Sequence, residues 1–262
     1  MAVMPTGAGR LGPTLLGALL ALLVLAPGPG QAQTGRRVAL VIGNEAYRTA
    51  PRLSGPARDA GRVGEMLRSL GFADVRIARD LDGAEFGREL EAFRARSAGA
   101  DWALVFYAGR SLQVGGMTYL MPIDAKVDVD ILSTALDLDR VLVSAGQAKA
   151  LRLVLVDGSR DNPFKASRPP GSPTGGTDSA AGPDTLIVFS TAPGRTAETG
   201  RDGKGSPFVE ALIKTLPSPG LELNAAFRRV RDEVMAATDG RQSPFAFGAL
   251  SAEPMYFVSP RR

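Results

Sequence analysis

Cysteine and histidine are both absent from this chain of 262 residues. Without cysteine there are no disulfides, no thiolate nucleophile and no thiolate metal site. Without histidine there is no imidazole base, no Ser-His or Cys-His dyad, and no zinc site built on imidazole. Any metal would need oxygen ligands, and no cofactor is expected. Lysine is scarce, so the formal charge of +4 comes mostly from scattered arginine. No basic run is interleaved with aromatics, which argues against a nucleic-acid partner despite the basic balance.

Hydrophobic residues make up 44% of the chain and charged residues 22%, as in an ordinary globular protein of one α/β domain. The stretch Leu151–Phe164 organises it. Leu151 to Val156 is a continuous apolar run rich in β-branched residues, the pattern of a central strand covered on both faces. It stops at Asp157-Gly158-Ser159-Arg160, and Asn162-Pro163 breaks regular structure soon after. Ligands of open α/β sheets bind at the carboxyl ends of strands. Ser159 therefore stands where a nucleophile would, with Asp157 beside it; a plain polar strand-to-loop turn explains the same residues. A second apolar run, Trp102 to Tyr107, enters the turn Ala108-Gly109-Arg110-Ser111.

The remaining elements follow from periodicity. A first strand is expected over Arg37–Gly43 and a helix over Asp59–Leu70, with Val63, Met66, Leu67 and Leu70 on one face. A short strand follows at Val75–Ala78. Asp82 caps a helix through Glu85, with Phe86, Leu90 and Phe93 inward. Gly115-Gly116 turns a hairpin within Gln113–Tyr119. Ser133 caps a short helix ending near Val143, and Thr185–Ser190 is a strand. Helices run from Ser206-Pro207 through Leu216 and over Leu221–Thr238, and Pro254–Val258 is a last strand. The alternation of strand and helix calls for a mostly parallel sheet with two covered faces.

The two strand ends resemble those of the caspase-like (caspase and metacaspase) cysteine peptidases, in the form common in bacteria. That family carries Tyr-Ala-Gly-His-Gly after one strand and Asp-Ala-Cys-Arg-Asp-Asn-Pro-Phe after a later one. Here the text reads Tyr107-Ala108-Gly109-Arg110-Ser111 and Asp157-Gly158-Ser159-Arg160-Asp161-Asn162-Pro163-Phe164. Leu53 to Ala60 is similar to the family's Asn-x-x-x-Asp-Ala segment, with Gly55 for Asn and Asp59 in place. Tyr119 to Asp124, Ser206-Pro207-Phe208 and Gln242-Ser243-Pro244-Phe245 extend the likeness, which runs from Arg37 to Phe257. The resemblance implies a three-layer α/β/α sandwich with a mostly parallel central sheet. It also implies a large part to about residue 168, a Pro/Gly-rich loop at 169–183 that is often processed in the family, and a small part at 184–262.

In that family the histidine is the general base and the cysteine the nucleophile, so the resemblance makes Arg110 and Ser159 the replaced pair. A guanidinium stays protonated and is no base. Ser159 also lacks the G-x-S-x-G elbow, leaving Lys165 as the one nearby amine for a Ser-Lys dyad. The resemblance further places Asp157 in a pocket for a basic side chain, and Asp59 and Arg160 are expected to belong to the same binding pocket. Alternatively Asp157 caps its turn or pairs with Arg160. A further expectation pairs Arg110 with Asp157, because their strands should be neighbours. The function implied is an inactive module that binds a peptide or protein partner. A serine-type hydrolase with an unusual base and a relic with a filled cleft are the alternatives.

Met1–Ala32 reads as a secretory signal peptide, with Arg10 before the apolar stretch Leu11–Ala26, the breaker Pro27-Gly28-Pro29-Gly30, and small residues in Gly30-Gln31-Ala32. The stretch is shorter than the ~20 residues that span a bilayer. Membrane contact only during export, and a periplasmic or secreted mature chain, are therefore expected; an uncleaved anchor is the rival.

Overall fold

The computed structural model describes residues 35–126, 131–158, 182–200 and 204–261. The signal segment, Ser159, Arg160, Lys165 and all but the last two residues of the 169–183 loop lie outside the described residues.

Six strands form the main sheet: β1 (Arg37–Gly43), β2 (Asp74–Arg79), β3 (Trp102–Ala108), β7 (Leu151–Asp157), β8 (Thr185–Phe189) and β9 (Phe245–Ala249), in the order β2-β1-β3-β7-β8-β9. The first five are parallel, and β9 joins β8 antiparallel at the edge. Side chains of a strand alternate between faces, and both faces here are apolar. Val41, Phe106 and Leu155 meet α1 (Pro56–Ser69), α5 (Pro207–Thr215) and α6 (Leu223–Ala237), while Leu40, Val105 and Val154 meet α2 (Gly83–Ser97) and α4 (Leu138–Ala145). The result is the expected three-layer sandwich. No helix among the described residues is long and apolar enough to cross a membrane.

A small antiparallel sheet of β4 (Ser111–Val114), β5 (Met117–Leu120) and β6 (Leu136–Asp137) stands beyond the end of β3. Gly115 and Gly116 turn its hairpin with φ of 60° and 89°, a turn that needs two left-handed residues. Asp82 and Glu85 form the reciprocal cap of α2.

Three expectations needed correction. The first helix begins earlier, at Pro56, because proline lacks the N–H that a first helical turn leaves unpaired. The helix expected from Ser133 to Val143 is split into α3 (Ile131–Thr134) and α4. Leu136 and Asp137 between them pair with β5, and Asp137 rather than Ser133 caps α4 by accepting from Arg140 N at 2.8 Å. No strand forms over Pro254–Val258, where Tyr256 makes a single bridge to Glu222. The last strand is instead Phe245–Ala249, half exposed and fixed by its pairing with β8 rather than by any apolar pattern.

Candidate functional site

β3 and β7 lie side by side with Ala108 opposite Asp157. Asp157 continues the Leu151, Leu153, Leu155 face, so its carboxyl points to the α1/α5 side of the sheet. The N-terminal ends of both helices meet it there. Ser206 caps α5 by accepting from Val209 N at 3.1 Å. Its hydroxyl proton goes to Asp157 Oδ2 at 2.5 Å, while its backbone N–H goes to Asp59 Oδ2 at 3.0 Å. One residue thus donates to two buried carboxylates, within the single donor and two acceptors of a hydroxyl.

Burial pushes the Asp157 carboxyl up to about 6; the Ser206 bond opposes this and the Asp59 charge adds to it. Ser190 Oγ faces Asp157 as well, buried but without a well-formed hydrogen bond. Burial also raises Asp59, against the Ser206 N–H and the Arg58 and Arg62 charges. Asp59 Oδ1 is buried and accepts no hydrogen bond; Arg58 Nε stands 3.7 Å from it. The turn that delivers Ser206 is held by Glu210, which accepts from Gly205 N at 2.8 Å and takes both prongs of Arg62. A Cβ on Gly205 would stand 2.5 Å from Arg62 Nη1 and 2.8 Å from Asp59 Oδ1, so a side chain there would have to displace the Arg62 and Asp59 side-chain ends.

These carboxylates sit in a cavity of about 390 Å³ whose other walls are Leu53–Pro56, Ala108–Leu112 and Thr196–Thr199. Gln242, fully buried, ties the last wall down. Its Nε2 donates to Ser190 O at 2.8 Å, and its Oε1 accepts from Glu198 N at 2.8 Å. The Leu53–Pro56 and Ala108 walls lie beside the point where the chain, having run outward from β1 to β2, returns to β3. That is the crevice in which open α/β sheets bind ligands.

Arg110 does not pair with Asp157, contrary to expectation. Asp157 is turned to the helix face and engaged by Ser206, whereas Arg110 is drawn to the loop after β1. Its backbone N–H donates to Tyr47 Oη at 2.6 Å, its guanidinium lies 5.4 Å from the Tyr47 ring centroid, and its Nη2 donates to Pro51 O at 2.8 Å. Tyr107, fully buried, fixes the turn from below, its hydroxyl within 2.7 Å of Arg110 O and 2.9 Å of Met121 O. Among the described residues the side-chain hydrogen bond to Asp157 comes from a hydroxyl 49 residues away.

The second exchanged pair explains itself by size. A Cβ on Gly158 would lie 2.5 Å from Ser111 Oγ and 2.6 Å from Gly109 O. Where the resembling pattern has alanine and then glycine at these two places, this chain has Gly158 and Ser111, so the added hydroxymethyl group fills the space the lost methyl would need.

The structure brings Asp59, Asp157 and Arg110 to one cavity; Ser159 and Arg160 lie outside the described residues. Sequence reasoning missed the bridging role of Ser206 and the bracing role of Gln242. Both stood in motifs already noted, Ser206-Pro207-Phe208 and Gln242-Ser243-Pro244-Phe245, and a buried polar residue in a motif is the signal that could have found them.

A mostly parallel sheet between helix layers, with one carboxylate at the end of β7 and another in the first turn of α1 beside a Tyr-Ala-Gly turn, defines a caspase-type sandwich, and residues 36–253 match the caspase domain of the C14 peptidases. The chain belongs to that family. In fold it is similar to caspase-1 from Spodoptera frugiperda, with a TM-score of 0.65 at 18% identity over 87% of this chain and 92% of that one. A structure of pro-sf-caspase-1 gives 0.62 at 20% identity over the same shares. In sequence it is similar to the human mucosa-associated lymphoid tissue lymphoma translocation protein 1, 33% identical over 34% of this chain. The homologue of that protein from Mus musculus is 31% identical over 37%. The matched stretches span 11% of the length of those relatives.

Proposed function

We propose that this caspase-domain chain is an exported, non-catalytic module that holds a basic side chain of a peptide or protein partner against Asp59 and Asp157. The observation that carries this reading is the pair of buried carboxylates converging on Ser206 in an open cavity, with Asp59 Oδ1 left without a hydrogen-bond donor. Burying charge is costly unless it is met by an opposite charge, and a guanidinium or ammonium supplies it. The chain carries no thiol and no imidazole, so the chemistry of a thiolate attacking a carbonyl with imidazole as proton carrier has no source here. The cavity beside Arg110 favours an open cleft over a filled relic.

The purified chain should bind the peptide Ac-Ala-Ala-Arg-Ala-amide in calorimetry, and Asp157→Asn and Asp59→Asn should each weaken binding at least tenfold. Reporters ending in Arg, Lys or Asp should remain uncleaved, with or without calcium. Cleavage abolished by Ser159→Ala in a folded protein would instead establish the serine-hydrolase alternative.

Export rests on the charge, apolar run and small-residue pattern of Met1–Ala32. Mass spectrometry of the native protein should place its N-terminus at or near Gln33. An intact Met1 in the membrane fraction would show the anchor.

A further inference from the structure

We propose that the cleft recognises a basic residue at a peptide's C-terminus, with the side chain against Asp59 and Asp157 and the terminal carboxylate against Arg110. The proposal rests on the basic-side-chain reading above and adds the second charge. Arg110 lines the same cavity as the two aspartates. Among the described residues no carboxylate lies within ion-pair distance, 4.0 Å, of its guanidinium, although arginines at eight other positions do have such partners. Its Nη2 is spent on a neutral carbonyl, Pro51 O, and one face lies toward the Tyr47 ring. Its Nε–H is buried and has no acceptor.

A buried donor left unpaired on a permanent cation is a cost that a ligand can remove. The group of opposite sign in the same cavity is the buried Asp59 Oδ1, which accepts no hydrogen bond although Arg58 Nε stands 3.7 Å away. Arg110 and Asp157 are set by neighbouring strands, since Arg110 follows Ala108 by two residues and Ala108 is the register partner of Asp157, while Asp59 comes from the first turn of α1. A site with an acidic end and a cationic end fits a residue that carries both charges. A lysine or arginine within a chain offers the first and only a neutral amide for the second. At a chain's end the α-carboxyl, with an ordinary pKa near 3.5, is ionised at neutral pH and presents two oxygens to the guanidinium fork. A uniformly acidic cleft would repel that carboxylate. Arg110 is what makes it acceptable, and the same cation gives an internal peptide no matching charge.

The test compares matched tetrapeptides on the full chain by calorimetry: Ac-Ala-Ala-Ala-Arg as the free acid and as the amide, together with free L-arginine. The acid should bind at least tenfold more tightly than the amide, and more tightly than L-arginine, whose free α-ammonium sits beside the carboxylate and would meet the like charge of Arg110. Arg110→Gln should remove the acid's advantage over the amide, bringing the acid-to-amide affinity ratio close to one. Acid and amide of equal affinity in the unmodified protein would overturn the carboxylate contact and leave the basic-side-chain pocket standing. Binding of neither peptide would overturn both. L-arginine binding as tightly as the peptide acid would overturn the peptide as the ligand. The acid-to-amide ratio needs no variant, so the proposal stays testable if Arg110→Gln fails to fold.

Discussion

At pH 7.5 the Asp157→Asn variant should be more stable than the unmodified protein, and the gain should vanish as pH falls toward 4. Burial raises the Asp157 carboxyl from 3.8 to about 6. Between those values the folded state binds the proton more tightly than the unfolded chain does. Stability is therefore greatest below about 3.8, falls as pH rises through the interval, and is fully reduced above about 6. At ~1.4 kcal/mol per pH unit the cost of keeping Asp157 ionised is about 3 kcal/mol. Asparagine keeps an oxygen for the Ser206 hydroxyl and never ionises, so it escapes that cost, of which the repulsion from Asp59 is a part. For a chain of this size the gain corresponds to roughly 6–12 °C in Tm. A Tm difference independent of pH would show that Asp157 stays hydrated and that its ionisation costs the fold nothing. The same substitution should remove binding of the basic ligand, so stability and recognition move in opposite directions at one residue.

Arg37→Met should lower unfolding stability by about 3–5 kcal/mol, the cost of leaving carbonyls unmet and losing a charged donor. Arg37 opens β1 but is itself buried. Its guanidinium donates to Phe257 O at 2.8 Å, Tyr256 O at 3.2 Å and Leu70 O at 3.3 Å, and it stacks 4.2 Å from the centroid of the Trp102 ring. Phe257 meets the same ring edge-on, with centroids 5.5 Å apart. Arg37 thus ties the end of α1, the start of β3 and the C-terminal segment together, a role no ammonium could fill with a planar fork. Methionine keeps much of the volume but none of the donors. Arg37→Lys should recover less than half of the loss. Urea unfolding checks both; a loss under 1 kcal/mol for methionine would mean that water reaches the three carbonyls.

The parts of this fold that sequence made legible were those with a local period or a local partner. Continuous apolar runs marked β1, β3, β7 and β8 because strands buried on both faces have no polar alternation to hide them. Asp82 and Glu85 lie within one turn of helix, and Gly115-Gly116 within one turn of hairpin, so their geometry follows from spacing. The half-exposed β9 and the two-residue β6 carry no such period, and only pairing with a neighbour defines them.

By itself the sequence determined the chemistry that is absent, thiol and imidazole, and the charged groups available to the site, Asp59, Arg110 and Asp157. What these groups do to one another was decided by tertiary structure. Ser206 reaches Asp59 across 147 residues and Asp157 across 49. Arg110, beside Asp157 by strand register, turns instead to Tyr47 and Pro51. The reason is physical. Charge and residue type are properties of a position, but a partner depends on which face of the sheet a side chain leaves from and which helix end arrives there. In Asp157 that face carries the capped start of α5, and a hydroxyl took the place that sequence had assigned to a guanidinium.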